Sequence, residues 1–187
     1  MAGNDWLLLI LAGGLGTRHG GEDKGLLPVR GEPAVLALRQ RLRAPAVRLS
    51  ANRNPAAYAA LGMTALPDRR PGFHGPLAGL ETLLHSAGDH PVVVVPCDMP
   101  DLPAELPARL LAALADAPGH VVVAHDGERL QPLCLALHPA RWRDDLAAYL
   151  DAGRRSVLGW LDDKPLSVCH FDDTAAFRNA NQPESRP

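Results

Sequence analysis

The run Trp6-Leu7-Leu8-Leu9-Ile10-Leu11-Ala12 leads at once into Gly13-Gly14-Leu15-Gly16-Thr17-Arg18-His19-Gly20-Gly21-Glu22-Asp23-Lys24. An uninterrupted apolar segment of this length suits a first strand buried on both faces. The five glycines after it let the backbone approach an anion closely and turn its N–H groups inward. Arg18 and Lys24 add positive charge able to cradle a polyphosphate. The spacing excludes two familiar phosphate loops. Gly16 and Gly21 have the gap of a P-loop, but Glu22 stands where its lysine belongs. Gly14 and Gly16 begin a dinucleotide fingerprint, which His19 breaks.

Outward from this loop, apolar runs of strand length alternate with stretches of helical spacing. Strands are predicted at 6–12, 46–51, 63–66, 91–96, 120–125, 131–137 and 166–171. Helices are predicted at 33–43, 55–61, 76–86, 103–115, 139–151 and 155–162. Several of the helices open with proline, whose missing N–H is harmless in the first turn. The alternation predicts an α/β fold, a single-domain, mostly parallel sheet with helices on both faces. The turn Asp126-Gly127-Glu128-Arg129 predicts a small antiparallel excursion around 120–137. Residues 1–182 are expected to form the domain and 183–187 a disordered tail.

Composition narrows the function classes. The net charge of −2 argues against nucleic-acid binding through a broad basic surface. No stretch reaches the roughly 20 apolar residues of a membrane span, and the first residues lack a secretion signal. Cys97, Cys134 and Cys169 have no metal-ligand spacing and read as reduced, buried thiols, which suits a cytoplasmic protein.

Ligands of open α/β sheets bind beyond the carboxyl ends of the strands. The second candidate element is therefore Pro96-Cys97-Asp98-Met99-Pro100, after the β-branched run 92–95. A carboxylate there points into the same crevice as the glycine loop. Asp98 could hold Mg²⁺ against phosphate oxygens, or cap the helix near Pro103. We assign the metal to Asp98 and the cap to Asp101.

Together these motifs resemble the pyrophosphorylase-like nucleotidyltransferases, and within them the molybdenum cofactor guanylyltransferases. The resemblance runs through Leu11-Ala12-Gly13-Gly14, Asp23-Lys24-Gly25-Leu26-Leu27, Ser50-Ala51-Asn52-Arg53, Asp68, Gly75-Pro76-Leu77-Ala78-Gly79 and Pro96-Cys97-Asp98-Met99-Pro100. It continues through His125-Asp126-Gly127-Glu128-Arg129, Arg154-Arg155-Ser156-Val157 and Phe177-Arg178-Asn179-Ala180-Asn181. Each motif is weak alone, and their order carries the identification.

The resemblance implies roles. Leu11, Ala12 and Gly13 would line the guanine, with Gly14 and Gly16 continuing the phosphate loop. Arg18 and Lys24 would contact phosphates and, with Asp98, form the catalytic set. Asn52 and Asp68 would meet the base or ribose, with Gly75, Pro76 and Leu77 completing the nucleotide site. Asp98 would bind Mg²⁺. Arg154, Arg155, Asn179 and Asn181 are candidates for the acceptor. His19 replaces the family's usual methionine and reads as a loop substitution. The usual final helix is missing. Glycine at position 13, where the cytidylyl sibling has alanine, resembles the guanylyl branch.

The implied reaction moves GMP from GTP to the terminal phosphate of molybdopterin and releases pyrophosphate. The attacking phosphate is already an anion, so positioning and charge screening replace a general base. Molybdenum cofactor insertion proteins and molybdoenzyme chaperones are the implied protein partners of a monomer. Three rivals stand beside this reading: CMP transfer to the same cofactor, another sugar-phosphate or phospholactate nucleotidyltransferase, and a non-catalytic nucleotide-binding protein.

Overall fold

The structure, a computed structural model, describes residues 5–13, 23–72 and 74–180. Gly14, Gly16, Arg18, His19, Asn181 and the segment 183–187 lie outside the described residues.

Strands β1 (Leu7–Leu11) and β6 (Val92–Pro96) are buried at every position, as their all-apolar sequences require. They pair in parallel from Leu7↔Val92 to Leu11↔Pro96 and form the middle of the sheet. On one side β4 (Val47–Ser50) and then β5 (Ala65–Leu66) continue it in parallel. On the other side lie β8 (Leu130–Leu137), β7 (Val121–His125) and β9 (Leu166–His170), in the order β5-β4-β1-β6-β8-β7-β9.

Only β8 runs against the rest, pairing antiparallel with both β6 and β7. The hairpin expected at 120–137 is therefore present, but it is no peripheral excursion. Its return strand is inserted between β6 and β7.

Side chains alternate across this sheet. Leu8 and Ile10 face a core built with α1 (Ala34–Arg41), α2 (Pro55–Ala60) and α4 (Leu106–Asp116). Leu7, Leu9 and Leu11 face α3 (Pro76–Ser86), α5 (Pro139–Asp151) and α6 (Val157–Leu161). Helices thus cover both faces, as predicted.

Two details differ from expectation. The helix expected from residue 103 starts at Leu106, with Glu105 at its N-cap and no side-chain cap bond. Asp101 does not cap it. Its carboxylate accepts from Arg30 Nη2 instead, in the turn between two short antiparallel strands, β2 (Pro28–Val29) and β3 (Glu32–Pro33). Asp101 sits four residues ahead of that N-cap, and the guanidinium offers it a charged partner.

Candidate active site

The carboxyl ends of β1, β4 and β6 meet at one edge. The Ala12 N–H donates to Ser50 O and the Cys97 N–H to Leu11 O, which holds the three chain exits side by side. A cavity of about 390 Å³ opens there, lined among others by Leu11, Ala12, Gly13, Lys24, Ser50, Asp68, Gly75, Pro76, Gly79 and Asp98. Most of the residues assigned from sequence to the nucleotide are therefore together. Two described residues of that set do not line the cavity: Asn52, which lies behind Asp68, and Leu77, which is fully buried in the core with Leu80, Leu83 and Leu84, one residue past the cavity-lining Pro76.

Lys24 begins a short 3₁₀ turn, Lys24–Leu26, capped by Asp23. Asp23 Oδ1 accepts from the Gly25 N–H at 3.2 Å and from the Tyr58 hydroxyl at 2.5 Å. Its Oδ2 accepts from Asn54 Nδ2 at 3.1 Å. Tyr58 comes from α2 and is fully buried, so burial and its bond to Asp23 push the phenol above its ordinary pKa. Gly25 is required beneath it, because a Cβ there would fall 2.4 Å from the Tyr58 hydroxyl oxygen. A buried carboxylate with three donors thus fixes the backbone that presents Lys24.

The Lys24 ammonium lies 3.2 Å from Asp98 Oδ2. The same oxygen accepts from Asn179 Nδ2 at 2.8 Å, and the Ala180 N–H donates to the Asp98 carbonyl. Both side-chain contacts fall on Oδ2. Asn179, assigned from the resemblance to the acceptor, is placed against the carboxylate assigned to the metal. Neighbouring Cys97 is inert, its thiol pushed up to about 12 by burial and by the Asp98 charge.

No group of three or more His, Cys, Asp or Glu side chains able to hold a metal exists among the described residues. A single hard carboxylate on the cavity wall nonetheless fits Mg²⁺, which takes one or two carboxylates and draws its other ligands from phosphates and water. Asp98 is the residue that would hold it.

Asn52 clamps Asp68, which lies just past β5 and also lines the cavity. Asn52 Nδ2 donates to Asp68 Oδ2 at 2.9 Å, and the Asp68 N–H donates to Asn52 Oδ1 at 2.8 Å. Among the described residues, neither the buried Asp68 Oδ1 nor the buried hydroxyl of Ser50 has a hydrogen-bond partner. Burial raises the Asp68 carboxyl above its ordinary value, partly opposed by the Asn52 bond. Asn52 spends both polar atoms on Asp68, so it positions the carboxylate rather than lining the cavity itself.

The loop after Asp68 is fastened from outside. Arg69 N–H donates to Thr82 Oγ1 at 2.9 Å, and Arg70 forks onto both oxygens of the buried Glu81 at 2.7 Å. Gly75, at φ 76°, then turns the chain into α3 with Pro76 in its first turn. Arg154 and Arg155 stand outside the cavity. Arg155 Nε donates to His74 Nδ1 at 3.1 Å and its Nη1 to the Leu150 carbonyl at 2.7 Å. Arg154 stacks on Tyr149 and pairs with Asp163.

Asp126 orders the β7–β8 turn. Burial alone would raise its pKa, but the N–H groups of Arg129 and Glu128 and the Gln131 amide outweigh that and hold it below the ordinary value. Gly127, at φ 108°, holds a backbone conformation that side chains rarely adopt, and a Cβ there would also press on the Asp172 backbone at 3.3 Å.

Sequence reading assigned no role to Asp23, Tyr58 or Ser50. The signal for Asp23 was its place before Lys24. Nothing local marks Tyr58, whose partner is 35 residues away.

The family model of the MobA-like NTP transferase domain matches residues 8–165. A molybdenum cofactor guanylyltransferase of a Shewanella species is 42% identical over 183 residues, covering 95% of this chain and 91% of its own. Another, from Cupriavidus pinatubonensis, is 43% identical over 188 residues, covering 97% and 94%. Among solved structures, molybdopterin-guanine dinucleotide biosynthesis protein A of Archaeoglobus fulgidus superposes with a TM-score of 0.71 at 18% identity, covering 88% of this chain and 83% of its own. A 2-C-methyl-D-erythritol 4-phosphate cytidylyltransferase of Thermus thermophilus gives 0.67 at 18%, covering 94% and 92%. These two likenesses concern the fold alone.

Proposed function

Because the chain belongs to the MobA-like NTP transferase family, we propose that it transfers GMP from GTP to the terminal phosphate of molybdopterin, releasing pyrophosphate. The observation that carries this reading is the polar layout of one cavity. The Lys24–Asp98 ion pair and a buried acceptor with no partner among the described residues, Asp68 Oδ1, line the same cavity.

Guanine offers N1–H and 2-amino donors that a buried carboxylate oxygen can take. Leu11, Ala12 and Gly13 would lie along the base, and Gly75 and Pro76 would close the pocket around the nucleoside. Lys24 would contact the phosphates, with Gly14, Gly16 and Arg18 completing the phosphate loop.

In the reaction an oxygen of the acceptor phosphate forms a bond to the α-phosphorus of GTP. The bond from that phosphorus to the bridging β-oxygen breaks, and its electron pair leaves with pyrophosphate. The nucleophile is already anionic, so no residue need remove a proton. Lys24 stabilises charge that grows on the phosphate oxygens, and the Asp23–Tyr58 anchor holds it in place without reorganisation. Mg²⁺, when held by Asp98, would neutralise part of the polyphosphate charge. Asn179 keeps the Asp98 carboxylate oriented.

The acceptor is assigned to the carboxyl-terminal side, where Asn179 meets Asp98. Arg154, Arg155 and Asn181 are its proposed further contacts, in competition with the internal bonds the two arginines already make. A monomer that hands its product to cofactor insertion proteins or molybdoenzyme chaperones in the cytoplasm completes the proposal. No helix among the described residues is long and apolar enough to cross a membrane.

The test is pyrophosphate release with Mg²⁺, a molybdopterin-loaded acceptor protein and either GTP or CTP. Turnover with GTP and Asp98-dependent loss are expected. Turnover with CTP alone, or tight GTP binding with no turnover on any acceptor, would overturn the reading.

A further inference from the structure

Two buried polar atoms in the nucleotide cavity have no partner among the described residues: Asp68 Oδ1 and Ser50 Oγ. Such orphans are rare in folded proteins, and each calls for a reason. Ser50 is the last residue of β4 and is 1% exposed. It lines the cavity with Asp68 and Gly13.

The surroundings keep a place open for its hydroxyl. A Cβ at Gly79 would fall 2.4 Å from Ser50 Oγ, so the glycine on α3 leaves the room the hydroxyl occupies. On the cavity side a point just off the Gly13 Cα, where a side chain would begin, lies 3.6 Å from Ser50 Oγ and 3.9 Å from Asp68 Oδ1. Both orphans therefore border one small space above a residue with no side chain.

Their chemistry differs. The ionised carboxylate only accepts, whereas the hydroxyl can donate. Guanine presents a matching set on one edge: the acceptor O6 beside the donors N1–H and 2-amino. We propose that the Ser50 hydroxyl reads the exocyclic oxygen of the guanine, donating to O6 while Asp68 accepts from the adjacent donors. This rests on the guanylyl reading above. It makes Ser50 a specificity residue in direct contact with the base.

The experiment measures dissociation constants of the full chain, with Mg²⁺, for GTP, ITP and 2-aminopurine riboside triphosphate. ITP keeps O6 and N1–H and lacks the 2-amino group; the 2-aminopurine analogue keeps the 2-amino group and lacks O6 and, with it, the N1–H donor. Ser50→Ala is expected to weaken GTP and ITP by the same factor, about tenfold, and to leave the 2-aminopurine analogue unchanged. A thermal melt checks that the variant is folded, and Asp68→Asn gives the contrast, its penalty shrinking with ITP.

Unchanged GTP affinity in Ser50→Ala would overturn the proposal. A penalty that vanishes with ITP would also overturn it, by moving the hydroxyl to the 2-amino group. So would an equal penalty for all three nucleotides, which marks a structural role. Wild-type protein binding CTP as tightly as GTP would instead overturn the guanylyl reading itself, and is seen without any variant.

Discussion

Asn179 Nδ2 sits 2.8 Å from Asp98 Oδ2, a contact that spans 81 residues of sequence and clasps the carboxyl-terminal segment to the end of β6. The amide and Lys24 share that oxygen, so Asn179 fixes which way the carboxylate faces.

If that is its work, Asn179→Ala should act through the metal. The Mg²⁺ concentration giving half-maximal turnover should rise about tenfold, the usual scale for losing a residue that orients a ligand. Asp98→Ala should abolish turnover with the fold intact. The measurement is the rate against Mg²⁺ at saturating GTP. An unchanged Mg²⁺ requirement with a raised KM for acceptor would return Asn179 to the acceptor side.

Tyr58→Phe tests the anchor beneath Lys24. The change removes one of three donors to a buried carboxylate, which costs about 1–3 kcal/mol. Urea unfolding should show that loss. The KM for GTP should rise as well, because the backbone carrying Lys24 loses its tether to α2. A stability loss with unaltered GTP kinetics would reduce the Asp23–Tyr58 bond to a purely structural contact.

How much of this the sequence could reveal follows from the range of each interaction. β1 and β6 are legible because burial on both faces forces continuous apolar runs, and Asp98 because strand ends of parallel sheets are where ligands go. The insertion of β8 between β6 and β7 is not, since a hairpin reads the same at an edge as inside a sheet. The β2–β3 ribbon has two residues per strand and a proline in each, too short for any period. Asp101 looked like a cap because it precedes a helix, and only the fold brings Arg30 to it. Leu77 belonged to a cavity motif, yet helical geometry turns it to the core and leaves Gly79 facing the site. Ser50 stood in plain view inside the motif Ser50-Ala51-Asn52-Arg53, but its missing partner is a three-dimensional fact.

Gly13→Ala probes base choice directly. A methyl there would lie 3.5 Å from Asn52 Nδ2, 3.6 Å from Ser50 Oγ and 3.9 Å from Asp68 Oδ1, all ordinary contacts. Stability should change by no more than about 0.5 kcal/mol. The methyl would nevertheless cover the two orphan atoms, so GTP affinity should fall about tenfold, as expected when a base-reading hydrogen bond is lost. Equilibrium binding of GTP to both proteins decides it, and unaltered affinity would detach Gly13 from base recognition.

Asp68 carries a prediction in pH. Burial raises its carboxyl above the ordinary 3.8, so the fold favours the protonated form. Its contribution to stability is then fully present below 3.8 and is lost as pH rises through the elevated folded value. At neutral pH the apo protein therefore carries a desolvated carboxylate at a net cost. Asp68→Asn should make the nucleotide-free protein more stable than wild type at pH 7, with the gap closing on acidification toward pH 4. The same variant should bind GTP more weakly, because the buried acceptor facing the cavity is gone. Denaturant unfolding at both pH values, with and without GTP, separates the two effects. Wild type losing stability faster than the variant on acidification would mean that Asp68 is stabilised as an anion in the apo fold, and would remove the reason for regarding Oδ1 as an acceptor held open for the base.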